Sequence, residues 1–440
     1  MKKVLILGAG YTIKPMADYF MDKCNYQVVM ATRTVSKADR VLAGRSLGKS
    51  VAWTTDNTEL LDQMVDESDM VMVMIPRSGH SMVAESCIKH GKPMITTDFM
   101  HEGIMAYDEA AQKNNVLILT ELGEDPGLDN MGAKQMIDMI KSAGGKVLNL
   151  TSYGAGLPAF EDNNNPFGYK FSWDPKGLMR SAVSPAYTVV DGKRIEIARK
   201  FEALRLVDVY GIGTFETYPS NDSSRYIPLF GLDENISVYK GLLRYLGWSN
   251  TIIHFLKIGL IENKTVNDYT HFTYAQFMAK VIGAGSTASV RESVAAKMEL
   301  DPNDDIILRM DWLGLFSDQQ LLTKKGTYSD VLVDLMLTKM SYEPGERDMI
   351  IVHNEMDVRF PDRKEKQISS MIVKGNPDGD SAMSRAVSLP AAIAARLILE
   401  GKISAKGVHM PSTPEMYEPI LEEMSTFGFT FKKTVIPIEE

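Results

Sequence analysis

Short apolar runs and amphipathic stretches take turns along roughly the first 120 residues. VLILG, from Val4 to Gly8, reads as a buried strand, Tyr11 to Lys23 as a helix, QVVMATR as a strand and VSKADRVLAGR as a helix. MVMVMIP predicts the next strand, ending at Pro76. GHSMVAESCIKHG then predicts a helix, and PMITTDF and VLILTE two further strands. Strands covered by helices on both faces read as unbroken apolar runs, so this succession predicts a Rossmann-type parallel sheet.

From about Gly145 the pattern changes. KVLNLTSYG, TVVDGKRIEIA, TFETYP, DMIIVHNEMDVRF and KQISSMIVKG read as strands joined by polar or proline-containing loops. A mainly helical stretch lies among them, including ISVYKGLLRYLGW and SVAAKMELD. The expected fold class is α/β: a Rossmann-type parallel sheet domain plus a second α/β, mixed-sheet domain with a helical insertion. The expected boundaries are 1–128 for the dinucleotide-binding domain, 129–233 with 340–383 for a substrate and dimerisation domain, and 234–339 for the insertion. LPAAIAARLILEGKI predicts a C-terminal helix stopped by Gly401, in a segment (384–440) expected to pack back on the first domain.

At 440 residues more than one domain is expected. The net charge of −9, without a basic run, argues against nucleic acid as a partner. Cys24 and Cys87 form neither a disulfide framework nor a metal motif, so the expected compartment is reducing and cytoplasmic and no metal is expected. Neither a signal peptide nor an apolar stretch of membrane-spanning length is read in the sequence.

Candidate chemistry begins at GAGYTIKP. Gly8 and Gly10 fill two places of a G-x-G-x-x-G turn after the first strand, the third being Ile13. Gly8 would make the tight turn and Gly10 would let the backbone approach a pyrophosphate. Pro15 falls in the first helical turn, where it is tolerated. The second strand ends Ala31-Thr32-Arg33-Thr34, without the carboxylate that holds the ribose hydroxyls in NAD proteins. Arg33 and the hydroxyls suit a 2′-phosphate, so NADP(H) is favoured over NAD(H), against the plainer reading of a solvated arginine.

Longer strings carry more information: ELGEDPGLDNMGA, SYGAGLPAFEDNNNPFGYKFSWDPKG, LRYLGW, WLGLFSD and EPGERDMI. With GAGYTIKP they resemble the saccharopine reductase family, the NADP-dependent, glutamate-forming saccharopine dehydrogenases, through nearly the whole chain in one register. The resemblance implies an oxidoreductase of amino-acid (lysine) metabolism, usually a homodimer. It would reduce the imine of an amino-acid semialdehyde and glutamate to saccharopine, or run the reverse. It implies cofactor contacts at Gly8, Ala9, Gly10, Tyr11, Thr12, Arg33, Thr34, Ile75, Thr97, Asp98, Glu124 and Pro126. It also implies an acid–base or iminium-stabilising role for Asp125, and substrate contacts at Asp98, Phe99, Asp125, Asn221 and Arg244. Several positions depart from the family. Asp98-Phe99 replaces serine-tyrosine, Glu124 replaces an apolar residue, Gly154 stands where cysteine is common, and Asp174 replaces a serine. A clamping arginine is expected near Asn221, with Arg225 close by. These changes suggest a pocket that loses a cation and gains carboxylates. Two alternatives therefore stay open: an imine reductase for another amine and carbonyl pair, such as a carboxylated polyamine or an opine-like product, and a non-catalytic nucleotide-binding protein.

Plainer readings stand beside these. Asp125-Pro126-Gly127 is an ordinary turn string, and Asp98 could cap the following helix. Asp174-Pro175 has the form of an N-cap with proline at the first helical position. Tyr169, Lys170, Phe171 and Trp173 could line a substrate cleft, and a half-buried strand explains them as well; Arg244 sits on a helical pattern. Glu346-Arg347-Asp348 reads as an ion-pair cluster and His353 as a packed or exposed strand residue.

Overall fold

The computed structural model describes residues 1–439. The chain divides into two compact units. The first comprises 1–154, 228–232 and 350–440; the second comprises 155–227 and 233–349.

The first unit is built on strands β1 (Lys3–Leu7), β2 (Gln27–Thr32), β3 (Gly48–Ala52), β4 (Met70–Val73), β5 (Met94–Thr96) and β6 (Leu117–Leu119). Between them lie α1 (Lys14–Asp18), α2 (Val35–Leu42), α3 (Thr58–Asp66), α4 (His80–Lys89), α5 (Glu102–Met105) and α6 (Asp108–Lys113). Together with a late strand, Gly407–His409, they form a seven-stranded sheet in the order 407–409, β6, β5, β4, β1, β2, β3. All of its pairings are parallel. This is the doubly wound order with one added strand, and the switch point falls between β1 and β4. Val4, Leu5, Ile6 and Leu7 are fully buried. Burying each such side chain favours the fold by about 1.5–3 kcal/mol, which explains why β1 is the plainest run in the sequence.

Some details depart from the expected elements. The helix after the glycine loop starts only at Lys14 and runs on into a π-helical turn, Tyr19–Lys23. β3 was not anticipated; it is a partly exposed edge strand of sequence GKSVA and shows no apolar run. The helix Ala382–Leu399 is, contrary to expectation, long and apolar enough by composition to cross a membrane. Most of it is buried within the first unit, where it packs on α1 as a core helix. The long helix α7 (Leu128–Ser142) and the antiparallel strands Lys364–Lys374 and Lys432–Pro437 also belong to this unit.

The second unit pairs Ala186–Val190 with Lys193–Ile197, Arg205–Val209 with Gly213–Pro219, and Gly213–Pro219 with Ser237–Arg244, all antiparallel. Ser237–Arg244 is thus a strand, not the helix expected for this stretch. Its inward positions include Lys240, only 2% exposed, and a charged residue facing inward hides the two-residue alternation. Tyr169 to Trp173 is irregular chain, not strand, although Tyr169, Lys170 and Phe171 are buried. Helices Trp248–Lys257, Tyr274–Ile282, Val290–Met298, Asp305–Leu313 and Tyr328–Leu337 follow.

Candidate functional site

The glycine loop lies at the carboxyl end of β1, beside the switch point. Gly8 has φ +116°, and a Cβ there would come within 2.5 Å of the Met74 carbonyl oxygen. Its amide donates to the Ala31 carbonyl at 2.8 Å. Only glycine fits a backbone held this tightly between neighbouring strands. A Cβ at Gly10 would meet nothing within 4 Å, so the outer side of the loop is open. Ala9 is partly exposed, Tyr11 projects outward, and the Thr12 carbonyl accepts the Ser388 hydroxyl. Arg33 and Thr34 are exposed at the end of β2, and Arg33 makes no ion pair among the described residues. A closed turn, an open loop and an unpaired arginine fit the phosphates of NADP(H). Those residues would hold them through backbone N–H groups and the guanidinium.

The ends of β4, β5 and β6 bring further residues together. The Ile75 carbonyl lies 3.1 Å from His80 Nε2. Thr97 abuts Gly123: a Cβ on Gly123 would lie 3.4 Å from Thr97 Cβ. Asp98 is gripped by Arg77, with Nε on Oδ2 at 2.8 Å and Nη2 on Oδ1 at 2.6 Å. Burial works against its charge, but the Arg77 hydrogen bonds and charge hold the Asp98 carboxyl below its ordinary value. The carboxylate that Asp98 adds is therefore met by a cation, which corrects the expectation of net negative charge at this position. Asp98 is not the helix cap either. His101 occupies the N-cap of α5, while Asp98 Oδ1 accepts the Phe99 amide at 2.8 Å.

Asp125, buried Glu124 and Pro126 sit in the turn between β6 and α7. The Asp125–Pro126 peptide is cis. Gly127 has φ +150°, and a Cβ there would lie 2.1 Å from the Gly123 carbonyl oxygen. Asp129 Oδ1 accepts the Gly127 amide at 2.7 Å and ties the turn to the first turn of α7. A Cβ on Gly154 would lie 2.7 Å from Asp125 Oδ2. The glycine at a position where the family has cysteine thus gives room to the Asp125 carboxylate. Glu121, which local sequence patterns did not single out, supports this region. It is fully buried with φ +59°, and its carboxylate accepts the Met100 amide at 2.9 Å and Asn130 Nδ2 at 2.8 Å. A positive φ in a buried glutamate is a strain that function sites tolerate.

In the second unit Arg244 ends its strand, 3% exposed, with its guanidinium 5.4 Å from the Tyr169 ring centre and 5.7 Å from that of Tyr218. Its Nη1 donates to the Leu243 carbonyl, and its Nε has no hydrogen-bond partner among the described residues. Glu216 stands opposite Arg244 in register, but its two oxygens accept the amides of Gly247 and Ser249. Lys200, absent from the expected site, is 5% exposed; burial and the Arg244 charge lower its ammonium to about 8. Asn221 is exposed at φ +55°, with its amide on Ser220 Oγ. That is a turn geometry and not a buried clamp. Arg225 lies 5.7 Å from the ring centre of Tyr226. Asp174 caps the helix Pro175–Ala182 by accepting the Lys176 amide, as its sequence form suggests. Glu346 pairs with Lys170, and Arg347 pairs with Glu161 and Asp162. His353 is buried between Ser370 Oγ and Glu355.

Known proteins share the sequence and fold of this chain. Residues 4–119 match the family described as saccharopine dehydrogenase NADP binding domain, and residues 123–429 match the saccharopine dehydrogenase C-terminal domain. The fission yeast Schizosaccharomyces pombe saccharopine dehydrogenase [NADP(+), L-glutamate-forming] is 30% identical, with all of both chains covered. The Bos taurus mitochondrial alpha-aminoadipic semialdehyde synthase is also 30% identical over 98% of this chain, which spans about half (47%) of that longer relative. The solved structure of apo, histidine-tagged saccharopine dehydrogenase (L-Glu forming) from Saccharomyces cerevisiae superposes with a TM-score of 0.88. It is 28% identical and is covered completely, as is 99% of this chain. The parallel sheet and its phosphate loop therefore define a doubly wound, NADP-binding protein. More narrowly, the chain belongs to the saccharopine dehydrogenase family.

Proposed function

We propose that the protein interconverts saccharopine with glutamate and an amino-acid semialdehyde by acting on a C–N bond. The observation that carries this reading is the Asp125 carboxylate, held in a glycine-walled turn and given room by Gly154, at the strand ends of a sheet with an NADP phosphate loop. Bound NADP(H) would supply or accept a hydride at the imine carbon. The chain's own part is positioning and proton handling. Asp125 orients the substrate nitrogen and exchanges its proton, or steadies the iminium charge. Thr97, packed against Gly123, and the Gly8–Thr12 loop fix the cofactor side. Arg33 and Thr34 select the 2′-phosphate. Arg244 holds a substrate carboxylate through its fork of N–H donors.

The test is the appearance of NADPH when purified protein meets saccharopine and NADP⁺ at mildly alkaline pH. Reduction is the expected outcome. No reduction, in a sample that binds NADPH, would reject this substrate. The ion pair between Asp98 and Arg77 supports an amino-diacid substrate over a less anionic amine, because it cancels the added carboxylate. Two free cysteines, Cys87 buried and Cys24 partly so, fit a reducing cytoplasm, and the family resemblance implies a homodimer. Light scattering of the purified chain tests the dimer.

A further inference from the structure

We propose that Lys200 joins Arg244 in a carboxylate-binding pocket of the second unit, so that two buried cations, not one, grip an anionic end of the substrate. That the occupant is a carboxylate of saccharopine rests on the function proposed above. The pocket itself rests on charge. Arg244 and Lys200 are 3% and 5% exposed, and neither has an acidic partner among the described residues. Among the described residues the only hydrogen bond of Lys200 Nζ is a long one, 3.4 Å to Ser181 Oγ, and Arg244 Nε has none.

A buried charge without a counter-charge is costly, and two close enough to repel are worse. The same unit shows the ordinary solution. Lys170, equally buried, is paired with Glu346. The carboxylate in register with Arg244, that of Glu216, is already taken by two backbone amides. The field left over is positive and is walled by Tyr169 and Tyr218, whose rings lower the local dielectric and strengthen attraction for an anion. Phe201, the chain neighbour of Lys200, has its ring centre 4.4 Å from that of Tyr218, the ring that also flanks Arg244. A planar fork and a point charge on one aromatic wall suit a carboxylate on an aliphatic stem. Lys200 also restores to the unit the cation that Asn221 does not supply.

Among the described residues the surroundings of Lys200 add no compensating acid. On its own turn, Lys200–Ala203, Glu202 is exposed and paired with Arg199. From the strand Gly213–Pro219 come Glu216, engaged as described, and Tyr218. From the helix Trp248–Lys257 the titratable groups are His254, on the Asn250 carbonyl, and Lys257, paired with Glu299. From the helix Pro175–Ala182 they are Lys176, paired with Asp330, and Arg180, paired with Asp174. Lys200 therefore loses its charge near pH 8 unless an anion holds it.

The experiment is steady-state oxidation of saccharopine by the full chain as wild type, Lys200→Gln and Lys200→Arg, with NADPH binding measured as the control for folding. Lys200→Gln should raise the saccharopine KM about tenfold or more and leave kcat within about twofold, the loss expected for one charged hydrogen bond used for binding. Lys200→Arg should restore KM. In the wild type 1/KM should fall above about pH 8, and Lys200→Arg should abolish that fall. An unchanged KM in Lys200→Gln overturns the pocket and leaves the function standing. If Lys200→Gln fails to bind NADPH, the pH profile of Lys200→Arg alone decides: loss of the alkaline fall supports the pocket, and a persisting fall overturns it. If the wild type binds NADPH but does not turn over saccharopine, the function falls and the pocket is read by calorimetric titration with glutarate. Binding that Lys200→Gln abolishes supports the pocket, and absent or equal binding overturns it.

Discussion

In the first unit the carboxylate of Asp98 is met twice by Arg77, at 2.8 and 2.6 Å. In the second unit Arg244 and Lys200 are more deeply buried and have no acidic partner among the described residues. Both regions depart from a neutral pocket, but in opposite senses. A charge compensated within the chain fixes a shape and is indifferent to ligand. A charge left uncompensated destabilises the fold and becomes favourable only when an anion arrives, so it stores affinity at the expense of stability. The contrast separates residues that build the site from residues that wait for substrate.

Variants can break this contrast, and the largest effect belongs to the builders. Gly127→Ala forces a Cβ into the Gly123 carbonyl at a φ that only glycine adopts readily. It should cost at least about 3 kcal/mol and abolish turnover, measured as urea unfolding and NADP⁺ reduction. An unaltered unfolding midpoint would remove the turn from the site's framework. Arg33→Ala comes next. Loss of a charge-assisted contact should weaken NADPH by about 10–100-fold and leave NADH nearly unchanged, read by fluorescence titration. Equal losses would deny the 2′-phosphate its arginine.

Lys200→Met sharpens the comparison by moving in the other direction. Lys200 titrates near 8 in the fold against an ordinary 10.5. Between those values the unfolded chain binds more protons, so stability rises with pH across the window and the penalty is complete below about pH 8. Removing the ammonium should therefore stabilise the protein at pH 7 by up to roughly 3 kcal/mol. A raised Tm at pH 7, fading above pH 10, is the expected signature, and a lowered Tm would mean the charge is compensated after all. The smallest effect is expected of Arg77→Gln, because the pair is half exposed. It should cost about 0.5–1 kcal/mol near neutrality. Asp98 is held below its ordinary 3.8, so its share of stability is present above that value and lost as pH falls below it. Arg77→Gln should flatten that acid limb, followed by circular dichroism.

What the sequence shows of this arrangement is uneven, for physical reasons. β1, β2 and β4 are legible because strands covered on both faces are unbroken apolar runs, and Gly8 is legible because its backbone admits no side chain. β3 is hidden because an edge strand need not be apolar. Ser237–Arg244 misleads because buried Lys240 breaks its alternation. The link between Asp98 and Arg77 joins residues 21 positions apart at the ends of two strands, and no local pattern marks it. Lys200 looks like any solvated lysine until its burial is seen. Glu121 carries no motif, and only its positive φ and two hydrogen bonds reveal it.

The seventh strand of the cofactor sheet, Gly407–His409, has a consequence for how the protein is made. Synthesis supplies β1 to β6 within the first 119 residues, yet the free edge of β6 is not covered until nearly 290 further residues have left the ribosome. Through that interval the nascent sheet presents an open row of hydrogen-bonding groups, the kind of edge that recruits other chains. A fragment ending after β6 would keep that edge permanently, so the nucleotide-binding half of this protein is a product of the whole chain and not a module that can be cut free.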